Sequence, residues 1–292
     1  MIRHMTHGSP EVLRSLASQH LPTDVAEQWL ELLRPSVQLG AATGSDSVAG
    51  HLGGRPKLAT GVDWPVWEGH GPLSFIASID CAALPSQTLD IDLPKSGTLL
   101  FFYFDGQVDG GEALVLVEDR DSWAGARVLY VPEDADVPDR ETPGELQPYP
   151  LVPLTARVEM TAGEPWHPRI REVFAPGAPL GQRYDHPVCT QEFLDALWEF
   201  DDTVGHQVGG YAHPVQNPVE IEIAEAVLEG KVSWEDPQLS DETGSWVLLA
   251  QFDSEDAAGM MWGDCGALYW LIRPKDLTDR RFDRAMFTWQ CS

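Results

Sequence analysis

The sequence predicts an α+β fold, with mostly antiparallel sheets in two related halves and helices at the N-terminus. Residues 1–45 carry apolar positions at helical spacing, whereas later segments are short, β-branched or aromatic, and bounded by Gly, Pro and Asp. Several motifs also recur in the same order along the later region. We therefore predict an N-terminal helical segment at 1–45 and one α+β domain at 46–292, with repeat halves at about 50–160 and 205–292.

Two short helices are predicted in the N-terminal segment. In SPEVLRSLASQ, Ser9 can cap the helix and Pro10 suits the first helical position. In PTDVAEQWLELLR, Thr23 or Asp24 can cap, and Pro35 is expected to end the helix because proline cannot continue it. The stretch GAATGSDSVAG that follows is rich in Gly, Ala and Ser, so we predict a flexible link there.

The first half of the later region reads as strands, and the second half adds helices. The predicted strands are LSFIASID, GTLLFFYF, ALVLVE and ARVLYV, and the Pro- and acid-rich VPEDADVPDRETPGELQPYP is predicted to begin a long surface loop. The predicted helices are TQEFLDALWEF, with Thr190 as cap, and NPVEIEIAEAVLEG, where Asn217 caps, Pro218 leads and Gly230 stops the helix.

An internal duplication is predicted from the order of short motifs. The first half contains GGRPKL, PLSFIASID and SGTLLFFYF, and the second contains GGYAHPVQ, WVLLAQFDS and CGALYWLI. Each set has a Gly-Gly turn, a strand that ends in Asp, and a Gly that opens an aromatic strand. Two such halves would bury faces that neither can bury alone, although short apolar strands can also resemble each other by chance.

The charge of the chain excludes one class of partner and favours another. The net charge is −27, from 46 acids against 19 bases, and residues 184–272 contain Lys231 as their single base. Such a surface repels phosphates, so we expect no direct contact with nucleic acid. It would attract a basic protein partner, although acidity can also serve solubility alone.

Cysteine spacing and hydropathy indicate a cytoplasmic protein. The four cysteines, Cys81, Cys189, Cys265 and Cys291, include no C-x-x-C pair, so neither a zinc site nor a dense disulfide framework is expected. The first residues lack the apolar core of a signal peptide. No apolar run approaches the roughly 20 residues of a membrane span, so we expect no contact with a membrane.

The segment GHQVGGYAHPVQ is the first candidate binding site. The two glycines permit positive φ and a close approach of the backbone to a ligand or to the other half. Its histidines lack the i, i+4 spacing of a helical zinc pair, and a further ligand would have to come from Asp185 or His186, so we predict no metal. The candidate residues are His206, Gly209, Gly210, Tyr211, His213 and Gln216.

The segment from 251 to 264 supplies the remaining candidates. Asp264 can be a turn residue that bonds nearby backbone N–H groups, or a functional carboxylate beside an aromatic wall. An EF-hand calcium loop does not fit DSEDAAGMMWGD because Gly and Glu are missing from the required positions. Cys189, beside His186 and before a predicted helix, could have a lowered thiol pKa. The candidate residues here are Gln251, Asp253, Trp262 and Asp264.

The ordered motifs resemble the YwqG-like family of bacterial domains of unknown function. The matching stretches are LGGRP, WP, PLSFIASID, LPKSGTLLFFY, HQVGGYAHPVQ, WVLLAQFDS, WGDCGALYWLI and a Cys-Ser near the end. The resemblance implies an α+β fold with an internal repeat and no established reaction, and some relatives look like immunity proteins that bind a toxin. Separately, we expect no cofactor, since no cofactor-binding motif is present. One departure is Ser78 after Ala77, where the family has Gln, while the second half keeps Gln251 after Ala250.

Two functions follow as hypotheses. The first is an acidic, cytoplasmic protein-interaction module for a basic protein partner such as a toxin or nuclease, which would not be an enzyme. The second is a small-ligand binder or enzyme with a cleft between the halves, where His206 or His213 acts as acid or base. The lining residues of that cleft would be Tyr211, Gln216, Gln251, Trp262 and Asp264. A purely structural role for all of these motifs is the third possibility.

Overall fold

The computed structural model describes residues 7–198 and 205–291, and it confirms a mixed α+β fold. The strands are β1 His7–Gly8, β2 Arg34–Ala41, β3 Gly50–Leu52, β4 Val66–Trp67, β5 Gly71–Pro72, β6 Ser74–Asp80, β7 Thr98–Tyr103, β8 Ala126–Val131, β9 Val152–Thr161, β10 Gln207–Gly209, β11 Val247–Asp253, β12 Ala267–Ile272 and β13 Met286–Gln290. The helices are α1 Pro10–His20, α2 Thr23–Glu31, α3 Pro168–Phe174, α4 Gln191–Trp198, α5 Val219–Val227, α6 Pro237–Thr243 and α7 Pro274–Thr278.

One large antiparallel sheet organises the part of the chain that the structure describes. Its order is β13-β12-β11-β10-β2-β9-β3-β6-β7-β8, with β1 beside β9, while β4 and β5 form a separate hairpin. The sheet curls so strongly that Phe101 on β7 contacts Phe252 on β11, with ring centroids 5.0 Å apart. A register shift in β6 at Phe75/Ala77 and another in β11 at Leu248/Ala250 add to this bending. The result is nearly a barrel.

The most apolar strands are buried on both faces. In β12, Leu268 and Trp270 belong to the core inside the curl, while Tyr269 and Leu271 pack outside it with residues of α5. Side chains alternate across a strand, so burial on both faces requires the uninterrupted apolar run ALYWLI. The predicted strands at β6, β7, β8, β11 and β12 are all confirmed.

The helices predicted at the N-terminus and in the second half are present. α1 begins at Pro10 after Ser9, as predicted, and α1, α2 and α4 share a small core in which Trp29 meets Phe193 edge-on at 5.3 Å. α5 begins at Val219, with Pro218 rather than Asn217 in the capping position. The end predicted for α4, at 199–200, lies outside the described residues.

Several segments differ from the sequence prediction. Pro35 does not end the second helix, because α2 stops at Glu31 and Pro35 lies in β2 near the middle of the sheet. The predicted boundary at residue 45 therefore falls after a central strand. The predicted strand ALVLVE is a loop, since side chains rather than a neighbouring strand bond its backbone: Ser122 Oγ donates to Leu116 O at 2.8 Å and Trp289 Nε1 to Val115 O at 3.0 Å.

Candidate functional site

Three buried glutamines fix the segment 205–217 to the sheet. Gln207 Nε2 donates to Tyr211 O at 2.6 Å. Gln251 accepts from His213 N at 2.9 Å and donates to Gly205 O at 2.9 Å. Gln290 Oε1 accepts from the backbone N–H groups of residues 215 and 216, at 2.7 and 3.0 Å. These amides satisfy backbone groups that would otherwise be buried without partners, so Gln251 has a structural task in this fold.

The Gly209–Gly210 pair and Tyr211 press against the central strands. Both glycines have positive φ, +69° and +74°, and a Cβ on Gly210 would lie 2.6 Å from Thr161 Oγ1. Tyr211 is 1% exposed and donates its hydroxyl hydrogen to Leu32 O at 2.8 Å. The close backbone approach of Gly210 is therefore to β2 and β9, whereas a Cβ on Gly209 would lie 3.2 Å from Ile91 Cδ1.

Both predicted histidines are buried. His206 Nδ1 accepts from Asp253 N at 3.0 Å, so its proton lies on Nε2, which is 3.6 Å from Glu255 Oε2. His213 is 8% exposed, and its carbonyl accepts from the Tyr269 hydroxyl at 2.8 Å. Neither imidazole lines the two cavities, of about 770 and 650 Å³, that are described below.

Trp262 and Asp264 have separate environments. Trp262 is 3% exposed, its ring packs edge-on against Tyr103 and Tyr149, and its Nε1 donates to Asp253 O at 3.2 Å. Asp264 is exposed in the turn that precedes β12. The predicted residues therefore gather around β10 and β11, and among them Gln216 lines a cavity.

That cavity, which we call the acidic pocket, has a volume of about 770 Å³ and lies between α5, β13 and residues 115–120. Its polar floor is Thr288 and Gln290, which are 3% and 2% exposed. Its carboxylates outnumber its single arginine, Arg120. The charged lining residues are Glu118, Arg120, Glu222, Glu225 and Glu229, and the apolar wall includes Val115, Val117, Ala226 and Trp289.

Helical spacing brings two of these carboxylates to one side of α5. Glu222 and Glu225 follow at i and i+3, while Val219 and Ile223 pack against β12. Glu229 lies just past the end of the helix, where its φ is +57°. The sequence predicted this helix, but it could not show that its acidic side closes on β13. The signal available in the sequence was the i, i+3 spacing of Glu222 and Glu225.

Glu222 is the most perturbed carboxylate of the acidic pocket. Its oxygens accept from Gln290 Nε2 at 2.8 Å and Thr288 Oγ1 at 3.0 Å, both neutral donors. Burial raises its pKa to about 7, the two hydrogen bonds oppose this rise, and the charges of Glu118 and Glu225 add to it. Arg120 instead pairs with the exposed Glu229 at 3.3 Å. Among the described residues, therefore, no cation pairs with the Glu222 carboxylate of this pocket.

The remaining features concern the Cys189 thiol, possible metal ligands and the length of the helices. Burial raises the pKa of the Cys189 thiol, so the lowered pKa expected from its place before a helix is wrong. Within 7–198 and 205–291, no three His, Cys, Asp or Glu side chains group so as to hold a metal ion. None of the helices in those ranges is both long and apolar enough to span a bilayer.

Comparison with known proteins gives a family but no activity. No curated protein matches the chain. One family model matches residues 50–291, which is most of the chain and includes the acidic pocket and the curled sheet except β1 and β2. The chain therefore belongs to the family described as the domain of unknown function DUF1963.

Proposed function

We propose that this chain is a protein-interaction module whose acidic pocket receives basic side chains of a protein partner. The observation that carries the proposal is Glu222, a half-buried carboxylate bonded to neutral donors and surrounded by further glutamates. A lysine or arginine of a partner would supply the missing cation. Desolvated charge pairs of this kind contribute more to binding than pairs at an exposed rim.

The walls of the acidic pocket also suit a long basic side chain. Val115, Val117 and Trp289 line the cavity beside the carboxylates. The aliphatic stem of lysine or arginine packs well against such apolar surface while its charged end reaches a polar group. An aromatic ring nearby can attract a cation through its face.

The wider charge distribution supports a basic partner. Between residues 184 and 272 the sequence has Lys231 as its single base among many acids. A field of this sign speeds the encounter with a basic protein and is screened beyond about 8–10 Å at physiological salt. A basic toxin or nuclease is the partner class that we propose, on the resemblance described above.

Capture from the lysate of the source cells, compared between matched variants, tests the proposal. Glu222→Gln with Glu225→Gln neutralises two carboxylates in the pocket, and Glu133→Gln with Asp134→Asn neutralises two exposed ones outside it. We expect wild type and the second variant to retain one basic protein that high salt releases, and the first variant to lose it. Equal retention by both variants, or a salt-insensitive association rate, would contradict the proposal.

We infer that the domain arose by internal duplication. The sheet order reads symmetrically about β2 and β9, with the hairpins β6-β7-β8 and β11-β12-β13 at its ends. Leu52 pairs with Ala77 as Val208 pairs with Ala250, and a register shift precedes each alanine. On this proposal β9 opens the second unit. Superposing residues 34–131 on the described part of 152–290 tests it, and strands that align in a different order would refute it.

The YwqG-like identity and the cytoplasmic location belong to the same proposal. The first is supported by the ordered motifs from LGGRP to WGDCGALYWLI. The second is supported by the four cysteines, which are all free thiols. Recovery of the protein outside the cytoplasm in a cell fractionation would overturn the second.

A further inference from the structure

A second cavity, of about 650 Å³, lies between α3 and α6 and extends to the first residues of β2 and β11. We call it the arginine cavity because Arg34, Arg169 and Arg171 line it. Its buried charged side chains are cations: Arg34 is 7% exposed and Arg171 is 3% exposed. Its carboxylates are all exposed, and they are Glu172, Glu235, Asp236 and Asp241.

Arg171 is a buried cation that pairs with no carboxylate in the part of the chain that the structure describes. Its Nη2 donates to Pro179 O, and its guanidinium lies 5.2 Å from the centre of the Tyr184 ring. Its Nε has no hydrogen-bond partner among the described residues, and none of their carboxylates lies within ion-pair distance of it. A buried charge with no counter-charge is costly to a fold, so a group that pairs with Arg171 would be strongly favoured.

The neighbouring arginines add to the positive floor. Arg34 is held in place by Asp90, with Nε 2.6 Å and Nη2 3.0 Å from its two oxygens. Arg169 is exposed and makes no ion pair with any residue that the structure describes. The Arg34 guanidinium also lies over the Tyr211 ring, 5.5 Å from its centre.

We propose that the arginine cavity binds a small ligand through one oxyanion group, a carboxylate or a phosphate, with Arg171 as its main partner. The guanidinium fork matches both groups, and hydrogen bonds between ions are the strong ones. The buried arginines give the cavity its preference for an anion, because water and salt screen the exposed carboxylates at its rim. The same rim, on a chain of net charge −27, disfavours a polyanion such as nucleic acid. The ligand is therefore small and carries few charges.

Titration of the full chain with two probes tests the proposal and distinguishes a phosphate ligand from a carboxylate ligand. Sodium phosphate and sodium succinate are added at constant ionic strength, with sodium chloride as the reference, and binding is followed by calorimetry and by the midpoint of thermal unfolding. Salts of these anions can stabilise a protein that has no binding site for them. Specific binding is therefore recognised by saturation of the signal and by its loss in the variants. Saturation by phosphate alone assigns a phosphate ligand, and saturation by succinate alone assigns a carboxylate.

Variants connect the binding to the cavity. Arg171→Met and Arg171→Lys are expected to weaken binding about tenfold or more, since hydrogen bonds to charged groups are among the stronger ones. Arg169→Gln weakens binding less, and the exposed Arg14→Gln, outside the cavity, leaves it unchanged. No saturation by either probe, or equal saturation of wild type and all arginine variants, would overturn the proposal.

Stability without a ligand separates a binding role from a structural one. A buried arginine that lacks a counter-ion is expected to be replaced by methionine with an unchanged or higher unfolding midpoint in sodium chloride. If Arg171→Met unfolds, Arg171→Lys and Arg169→Gln still test binding, because they keep the buried charge in place. Arg171→Met could instead lower the unfolding midpoint while the other two variants bind as well as wild type. Arg171 would then have only a structural role, as the hydrogen-bond donor to Pro179 O.

Discussion

The carboxylate of Glu222 accepts a hydrogen bond from the Thr288 hydroxyl at 3.0 Å, which joins α5 to the edge strand β13. Gln290 bonds the other oxygen at 2.8 Å. Neither donor is charged, so burial prevails and raises the pKa of Glu222 to about 7. The folded protein therefore binds a proton here at pH values where the unfolded chain, with a pKa of 4.5, has released it.

This pair predicts how stability depends on pH. A carboxyl whose folded pKa is raised stabilises the fold fully below pH 4.5 and loses that contribution as the pH rises through about 7. We expect Glu222→Gln to be more stable than wild type by about 2 kcal/mol at pH 8 and to differ little at pH 4.5, since a neutral amide mimics the protonated acid. Urea denaturation of both proteins across this range measures the difference.

The control for this experiment is Glu133→Gln, which removes an exposed carboxylate outside the acidic pocket. It reports the effect of lowering the net negative charge alone. A gain at pH 8 that is equal in the two variants would mean that Glu222 is not specially destabilised by burial.

Glu255 has the opposite behaviour. The His206 imidazole, whose Nε2 lies 3.6 Å from Glu255 Oε2, lowers the pKa of this carboxyl, and burial opposes this only partly. A carboxyl whose folded pKa is lowered stabilises the fold above its unfolded value of 4.5 and loses the contribution as the pH falls through the folded value. We expect Glu255→Gln to lower the free energy of unfolding by about 1 kcal/mol at pH 6, because a partly exposed pair is screened by solvent. The loss should shrink below pH 4.5, and a loss that is constant with pH would refute this account.

The strands that the sequence predicts are those with apolar residues on both faces. β7 and β12 have no solvent-facing side, so their composition alone identifies them. β2 and β9 contain polar residues among the apolar ones, such as Gln38, Arg157 and Glu159. The two strands pair with each other across a long stretch of sequence, for example at Val37 and Val158. Their membership of the sheet depends on this long-range pairing, which no local pattern records.

The candidate sites show a related limit. A buried amide that binds a loop and one that binds a ligand have the same sequence signature, so Gln251 could be predicted as important but not assigned to its task. Glu222 and Thr288 lie on different elements, and only the fold brings them into contact. The acidic composition was visible in the sequence, whereas the cavity that concentrates it was not.

The structural task of Gln251 can be measured. Gln251→Ala leaves the His213 N–H and the Gly205 carbonyl without their partner inside the protein. Each buried polar group left unsatisfied costs about 1–3 kcal/mol, so we expect the free energy of unfolding to fall by about 2–4 kcal/mol. Gln216→Ala, on an exposed side chain of the same segment, should cost well under half as much. Equal losses in urea denaturation would argue against the role of Gln251 as a fastener.

Alanine substitutions at Gly210 and Gly230 distinguish the cost of backbone strain from the cost of a steric clash. Gly210 and Gly230 both have positive φ, +74° and +62°, which alanine adopts at a cost of about 1–2 kcal/mol. A Cβ on Gly230 would meet nothing within 4 Å, whereas one on Gly210 would lie 2.6 Å from Thr161 Oγ1 and 2.7 Å from Ser36 Cβ. Overpacking of this kind typically adds about 1–3 kcal/mol, so Gly210→Ala should destabilise the protein by about 3 kcal/mol and Gly230→Ala by about 1. Similar unfolding free energies for the two variants would mean that the segment can move away from β2 and β9, and the loop would then be free to adjust around a ligand.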